Sequence, residues 1–261
     1  IAADSASQGS AFRALPAAAL ALDARLTLLQ RAQRSVDLQV YQLHDDAAGR
    51  QVARALRDAA LRGARVRLLI DDLYTAENHT LLLELAAHPN IEVRLFNPFA
   101  SGRSMVLARY LASLFDFARV NHRMHNKLMV VDSAFAVAGG RNLGDEYFRR
   151  SRDGNFVDFD LLLAGEVVPE LAAIFDRYWN SGHCRPLHAL ETPDASDEAL
   201  RLRFEQRTRA GEEAAPAALH EANPLGQSAL SRDIERPPLA LLAGRVQVQA
   251  DDPDKVTGRV A

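Results

Sequence analysis

Short apolar runs recur along the first 180 residues with helical periods set between them, and this alternation most constrains what the chain can fold into. Val36–Leu43 (VDLQVYQL) alternates as a strand does, Val66–Ile70 (VRLLI) reads as a buried strand, and Ile91–Phe96 as another. Leu20–Gln33, Gly49–Leu61 and Ala76–Ala87 carry apolar residues at helical spacing, and 104–118 is predicted to be helical. Two more strands are expected at Asn126–Val131 and Phe135–Ala138, joined by a tight turn at Asp132–Ser133. A strand over Phe156–Leu163 and a helix over Val168–Trp179 follow. Strand–helix–strand order of this kind builds a mixed, largely parallel α/β sheet with helices on both faces.

The domain plan has three parts. Residues 1–185 form the α/β lobe. Residues 186–235, rich in alanine, charge and proline with one helix near Asp197–Arg209, are expected to be a linker or helical excursion outside the core. Residues 236–261 look like the start of something new, a strand in LALLAGRVQVQADDPDK. A chain that opens on Ile1 and closes there is expected to have been cut from a longer one.

Composition excludes several classes. A single cysteine, Cys184, rules out an internal disulfide and a cysteine-based zinc site. No run of 18 apolar residues is present, so membrane contact is expected to be peripheral. A net charge of −3 speaks against nucleic acid as the partner.

Of 31 basic residues only Lys127 and Lys255 are lysines, and Lys127 lies two residues after His125 in MHNKLMVVDSAFAVAGGRN. In a strand these two share a face. If the turn at 132–134 closes an ordinary hairpin, Val131 lies opposite Phe135, Lys127 opposite Gly139 and His125 opposite Arg141, with Asn142 beside the histidine. One hairpin then gathers an imidazole, an ammonium, two glycines that admit an anion and a carboxamide donor. That set can hold a phosphate and attack it. Neutral histidine is a nucleophile at phosphorus, lysine a compact charge for phosphate oxygens, and asparagine a further donor. Each piece alone has a plainer use. Asn142 suits a helix cap, Gly139–Gly140 a strand-end turn, and Asp132 the hairpin turn. Six specified residues at fixed spacing, however, arise by chance in such a chain roughly once in 10⁵.

The pattern His125-x-Lys127-x4-Asp132-x6-Gly139-Gly140-x-Asn142 resembles the HKD signature of the phospholipase D superfamily. NHRMHNKLMVVD, GGRNLGDEYF, HPNIEVRLFNPF and YWNS resemble the bacterial cardiolipin synthases, in particular their shorter, non-membrane-spanning branch. The resemblance covers about residues 20–185, and DDPDK resembles the opening of that family's second half. It implies a phospholipid substrate, a phosphohistidine intermediate, no metal or other cofactor, and a bacterial protein peripheral at the cytoplasmic membrane or cytoplasmic. On the matching positions it makes His125 the nucleophile and Lys127 and Asn142 phosphate binders, with Gly139 and Gly140 beside the substrate. Asp132 is carried as a mainly structural member, and Asp158 as the acid that orients the histidine, with Asp160 its competitor. The family uses two HKD motifs, and this chain has one. A second lobe would come from a homodimer partner or from a missing C-terminal half, and the unfinished strand points to the latter. The leading activity is phosphatidyl transfer from phosphatidylglycerol to give cardiolipin. Its rivals are a metal-independent HKD nuclease acting as a homodimer and a non-catalytic lipid-binding or pairing lobe.

Two acid pairs, Asp45–Asp46 and Asp71–Asp72, end predicted strands where ligands often bind, though helix capping explains them equally well. The basic stretch from Arg103 to Arg123, with interleaved leucines, is either a lipid-facing helix or an ordinary amphipathic one.

Overall fold

The computed structural model describes residues 9–99, 123–213, 223, 225–236 and 238–257. The helix expected at 104–118 lies outside them. Among the described residues one nine-stranded sheet runs in the order β8-β4-β3-β2-β5-β6-β7-β1-β9. Its strands are β1 Ser10–Leu15, β2 Ser35–Val40, β3 Arg65–Asp71, β4 Ile91–Phe96, β5 Leu128–Val131, β6 Phe135–Gly139, β7 Asp160–Gly165, β8 Cys184–Pro186 and β9 Leu242–Gly244. Only β2, β3 and β4 pair in parallel, and all the others are antiparallel. The main helices are α1 Ala18–Arg31, α2 Ala47–Leu61, α3 Thr75–Ala86, α4 Val167–Trp179 and α5 Asp197–Glu213.

The parallel strands are apolar on both faces because both faces are covered. Along β5 and β6 the period-two rule divides the side chains between two cores. Met129, Val131 and Val137 join the α1–α2–α3 side, whereas Leu128, Val130 and Ala136 join Phe175, Tyr178 and Trp179 of α4. Helix α2 starts where Asp46 accepts the Gly49 N–H at 2.9 Å and ends before Gly63, whose φ of +101° suits glycine.

The hairpin register follows the residue count, with Val131 opposite Phe135 and Leu128 opposite Ala138. The turn is entered with positive φ at Asp132 and Ser133. Several expectations are corrected. The strand over Phe156–Leu163 begins only at Asp160, because its partner β6 ends opposite it at Gly139. Val36–Leu43 ends at Val40, which frees Tyr41 and Gln42 from the ladder. The helix in the 186–235 stretch forms but is not an excursion. It packs on α2 and α3, with Leu200, Phe204 and Thr208 buried. The late strand starts no new sheet in these residues, since Leu242–Gly244 pairs with Ser10–Phe12 of β1. β1 itself escapes sequence reading because Arg13 interrupts its apolar pattern, and that arginine is buried on Asp233 at 2.6 Å.

Candidate active site

Four chain segments meet at one end of the sheet: Tyr41–Gln42 beyond β2, Met124–Lys127 before β5, Gly139–Asn142 at the end of β6, and Asp158–Asp160 entering β7. The segment carrying the histidine is fastened from β3. Asp71 is fully buried, and its carboxylate accepts the N–H of Met124 at 2.9 Å and of Leu73 at 2.9 Å, with Arg123 at 3.3 Å. Burial pushes its pKa up to about 6 against the pull of Arg123. Asp71 therefore serves as an anchor as well as a cap, gripping the chain one residue before His125. An acid at the end of an apolar strand was the only sequence sign of it.

His125 and Lys127 lie together as the hairpin count requires. Lys127 is 5% exposed, and its Nζ donates to the His125 carbonyl at 2.8 Å and reaches the His125 Nδ1 at 3.0 Å. The Tyr41 ring supports both, 4.9 Å from the imidazole and 5.4 Å from the ammonium. Burial lowers the Lys127 pKa to about 8, opposed by Asp158. Burial also holds His125 below its ordinary 6.5, helped by Lys127 and Lys255 and opposed by Asp158. Both lysines of the chain thus act on one histidine, and at pH 7 the imidazole is neutral beside a charged ammonium. An ammonium only donates, so Nδ1 is the accepting nitrogen and the ring proton rests on Nε2.

The two candidate acids have different surroundings. Asp160 is wholly buried and ion-paired with Arg25 at 3.0 Å and Arg141 at 3.1 Å. Burial raises its pKa, but the two guanidiniums outweigh this and hold it below the usual carboxylate range. Asp158 is half-exposed and raises the pKa of both His125 and Lys127, while its Oδ1 accepts the Phe159 N–H at 2.9 Å. Asp158 thus acts electrostatically on His125 and Lys127, whereas Asp160 is held by Arg25 and Arg141.

Gly139 and Gly140 are glycine for a reason of their own. A Cβ on Gly140 would overlap the Asp158 carboxylate, and one on Gly139 the Asp160 carboxylate and the Phe159 carbonyl. The anion they admit in this structure is the chain's own. Asn142 is 2% exposed and fully engaged. Its Oδ1 accepts the Gln42 N–H at 3.2 Å, and its Nδ2 donates to Tyr147 Oη at 2.9 Å and Gln42 Oε1 at 3.3 Å. Tyr147 completes the triangle by donating to Gln42 Oε1 at 3.1 Å. Both amide hydrogens of Asn142 are used, so it holds Gln42 and the loop and has no free donor for a phosphate oxygen. Tyr41 and Gln42 had no signal beyond their place just after β2, and Tyr147, behind the glycine turn, had none of its own.

Asp132 lies at the other end of the hairpin. It lies five positions along the chain from Lys127, roughly 16 Å at strand rise. Its carboxylate accepts the N–H groups of Gln33, Arg34 and Ser35 at 3.0, 2.7 and 2.9 Å, sealing the α1–β2 link. It belongs to the turn, away from His125 and Lys127. Asp46 likewise caps α2 and accepts the Asp145 N–H at 2.7 Å, and Asp45 pairs with Arg50 and Arg207 at 2.6 and 2.8 Å. An open cleft of about 810 Å³ beside Lys127 and Gly139 is walled by Leu171 and Ile174 of α4 and by Val248–Asp251. Among the described residues no cluster of three His, Cys, Asp or Glu is placed to hold a metal, and no helix is long and apolar enough to cross a membrane.

The family model described as cardiolipin synthase, PLD-like domain, matches residues 26–179. The chain belongs to this family. It is 44% identical over 175 residues to cardiolipin synthase C of Escherichia coli K12, covering 67% of this chain and 36% of that protein. It is 31% identical over 169 residues to a cardiolipin synthase of Geobacillus kaustophilus, covering 64% of this chain and 30% of that one. The chain thus spans about a third of the curated relatives it matches. In fold it is similar to the phosphatidylserine synthase of Haemophilus influenzae, with a TM-score of 0.51 at 14% identity over 85% of this chain and 51% of that one. The PLD-like lobe is therefore built on a mixed α/β sheet as expected from the sequence, but not on a largely parallel one, since only the β2–β3 and β3–β4 pairings are parallel.

Proposed function

We propose that this lobe supplies one half of a phosphatidyl-transfer site that makes cardiolipin from phosphatidylglycerol or another phosphatidyl donor. The observation that carries this reading is the pairing of His125 with a buried Lys127, clamped between Tyr41 and the Asp71-anchored chain. In the resting state Lys127 lies on Nδ1, which leaves the proton on Nε2. A phosphodiester gives the ammonium better acceptors, its non-bridging oxygens. As Lys127 turns to them, the ring proton moves to Nδ1 and Nε2 gains the lone pair for attack. An N–P bond forms and the P–O bond to the leaving alcohol breaks, that oxygen taking a proton from an acid on the second lobe. The acceptor alcohol then attacks phosphorus, its proton is removed, and the N–P bond breaks. Asp158 stabilises the imidazolium that forms.

The second lobe, from the remainder of a longer chain or from a homodimer partner, would cover the open face at His125. The enzyme would work peripherally at a bacterial cytoplasmic membrane. The test is to incubate the purified chain, and a longer form carrying a second HKD lobe, with labelled phosphatidylglycerol, each beside its His125→Ala variant. Labelled cardiolipin from the wild type alone supports the proposal. Cleavage of single-stranded DNA in place of lipid transfer moves the site to the nuclease class, and product that survives His125→Ala removes this histidine from the nucleophile role.

A further inference from the structure

A second cavity, about 360 Å³, lies beyond the nucleophile and has no part in the steps above. Tyr74 forms one wall and meets the Tyr41 ring edge-on at 5.5 Å, so the cavity is two ring contacts from His125. Asn78 lines it, 4% exposed, with its Nδ2 donating to the Leu43 carbonyl and its Oδ1 without a partner. A buried carbonyl oxygen left unpaired calls for a donor.

The other groups say which donor. Glu77 adds an accepting carboxylate at the exposed rim. Gln42 has its Oε1 taken by Asn142 and Tyr147, which leaves its amide hydrogens to give. His44 and the Tyr74 hydroxyl can give or accept. The remaining two acids are already engaged, Asp45 in ion pairs with Arg50 and Arg207 and Asp46 as acceptor of two backbone N–H groups. An ammonium ion only donates and wants unpaired carboxylates. A hydroxyl both donates and accepts, and a lining that mixes the two suits it better.

We infer that this cavity is the subsite for the polyol head group exchanged at phosphorus, held through its hydroxyls by Asn78, Glu77 and Gln42. This rests on the phosphoryl-transfer reading of His125. A glycerol bound there would be esterified through the oxygen nearest Tyr41, with its remaining hydroxyls turned toward Asn78.

The experiment compares binding of inorganic phosphate, glycerol 1-phosphate and phosphoethanolamine to the full chain by calorimetric titration at pH 7. Two net hydrogen bonds make glycerol 1-phosphate bind about tenfold more tightly than inorganic phosphate. Asn78→Ala should reduce that preference to about threefold or less with inorganic phosphate unaffected, and Glu77→Ala, at the exposed rim, should reduce it without risk to folding. Equal affinity for phosphate and glycerol 1-phosphate overturns the inference, as does a preference that survives in every folded variant. Tighter binding of phosphoethanolamine overturns the hydroxyl assignment. Failure of all three ligands to bind, or binding indifferent to Lys127→Ala, sinks the phosphoryl-transfer reading itself and this inference with it.

Discussion

The β5–β6 hairpin has two ends, and they are built to opposite specifications. At the turn, Asp132 and Ser133 adopt φ of 53° and 55°, and the aspartate closes three backbone N–H groups of the preceding link. The carboxylate there is fully occupied by the chain's own N–H groups. At the open end, Lys127 and His125 lie against each other with both pKa values lowered, and the glycine space is filled by a carboxylate that is itself half-exposed. One end is complete in the folded chain, and the other is satisfied only until something better arrives. Residues of one motif thus divide between folding and chemistry, although a strand of four residues is all that joins them.

The contrast breaks most sharply under exchange of the two signature residues. His125→Asn should lower transfer by about 10⁴-fold or more in the complete enzyme. Because His125 is exposed, it should change stability by no more than about 0.5 kcal/mol, read by urea unfolding. Asp132→Ala should do the reverse. Losing one charged acceptor of three N–H groups destabilises the lobe by about 2 kcal/mol, while turnover of the folded fraction is unchanged. A loss of turnover without a loss of stability in Asp132→Ala would join the two ends into one function.

A third prediction concerns charge. Phosphate binding needs Lys127 protonated, so affinity measured by titration should fall about tenfold between pH 7 and pH 9 as the lysine passes its pKa of about 8. Lys127→Arg should abolish that fall, since a guanidinium does not titrate there. Asp71 gives a smaller effect of opposite origin. Its folded pKa of about 6 lies above the unfolded value. Its contribution to stability is therefore full below about pH 3.9 and is lost as pH rises through about 6. Asp71→Asn should remove this slope from urea midpoints measured across pH 4–7. Smallest of all, Asp158→Asn should lower the His125 pKa further, because Asp158 now raises it, and an NMR titration of the ring would show the shift.

The hairpin was legible in the sequence because a strand has a period of two and a turn of known length fixes the register. Residue count alone put Lys127 opposite Gly139, and the Gly139 N–H does donate to the Lys127 carbonyl at 3.2 Å. What periodicity cannot report is which polar atoms meet across the sheet. Asn142 looked like a phosphate donor until Gln42, 100 residues before it, and Tyr147, 5 residues after it, were seen to take both its hydrogens. Tyr41 read as one more alternating strand residue, and only the end of β2 at Val40 turned it toward the imidazole. Helix α5 was visible as a helix, but its composition hid the packing face that Phe204 carries.

The placement of β1 has a consequence for how the lobe is made. Ser10–Leu15 pairs on one side with Asp160–Gly165 and on the other, through Ser10–Phe12, with Leu242–Gly244. A ribosome adding about 5–20 residues per second would deliver the second neighbour some ten to fifty seconds after the first strand emerged. For that interval the outer row of N–H and C=O groups on β1 stays open, a template for any other extended segment. Nascent chains in which Leu242–Gly244 cannot yet reach β1 should therefore be the species that sticks to its neighbours, and pairing of those three residues should cover the Ser10–Phe12 part of that edge.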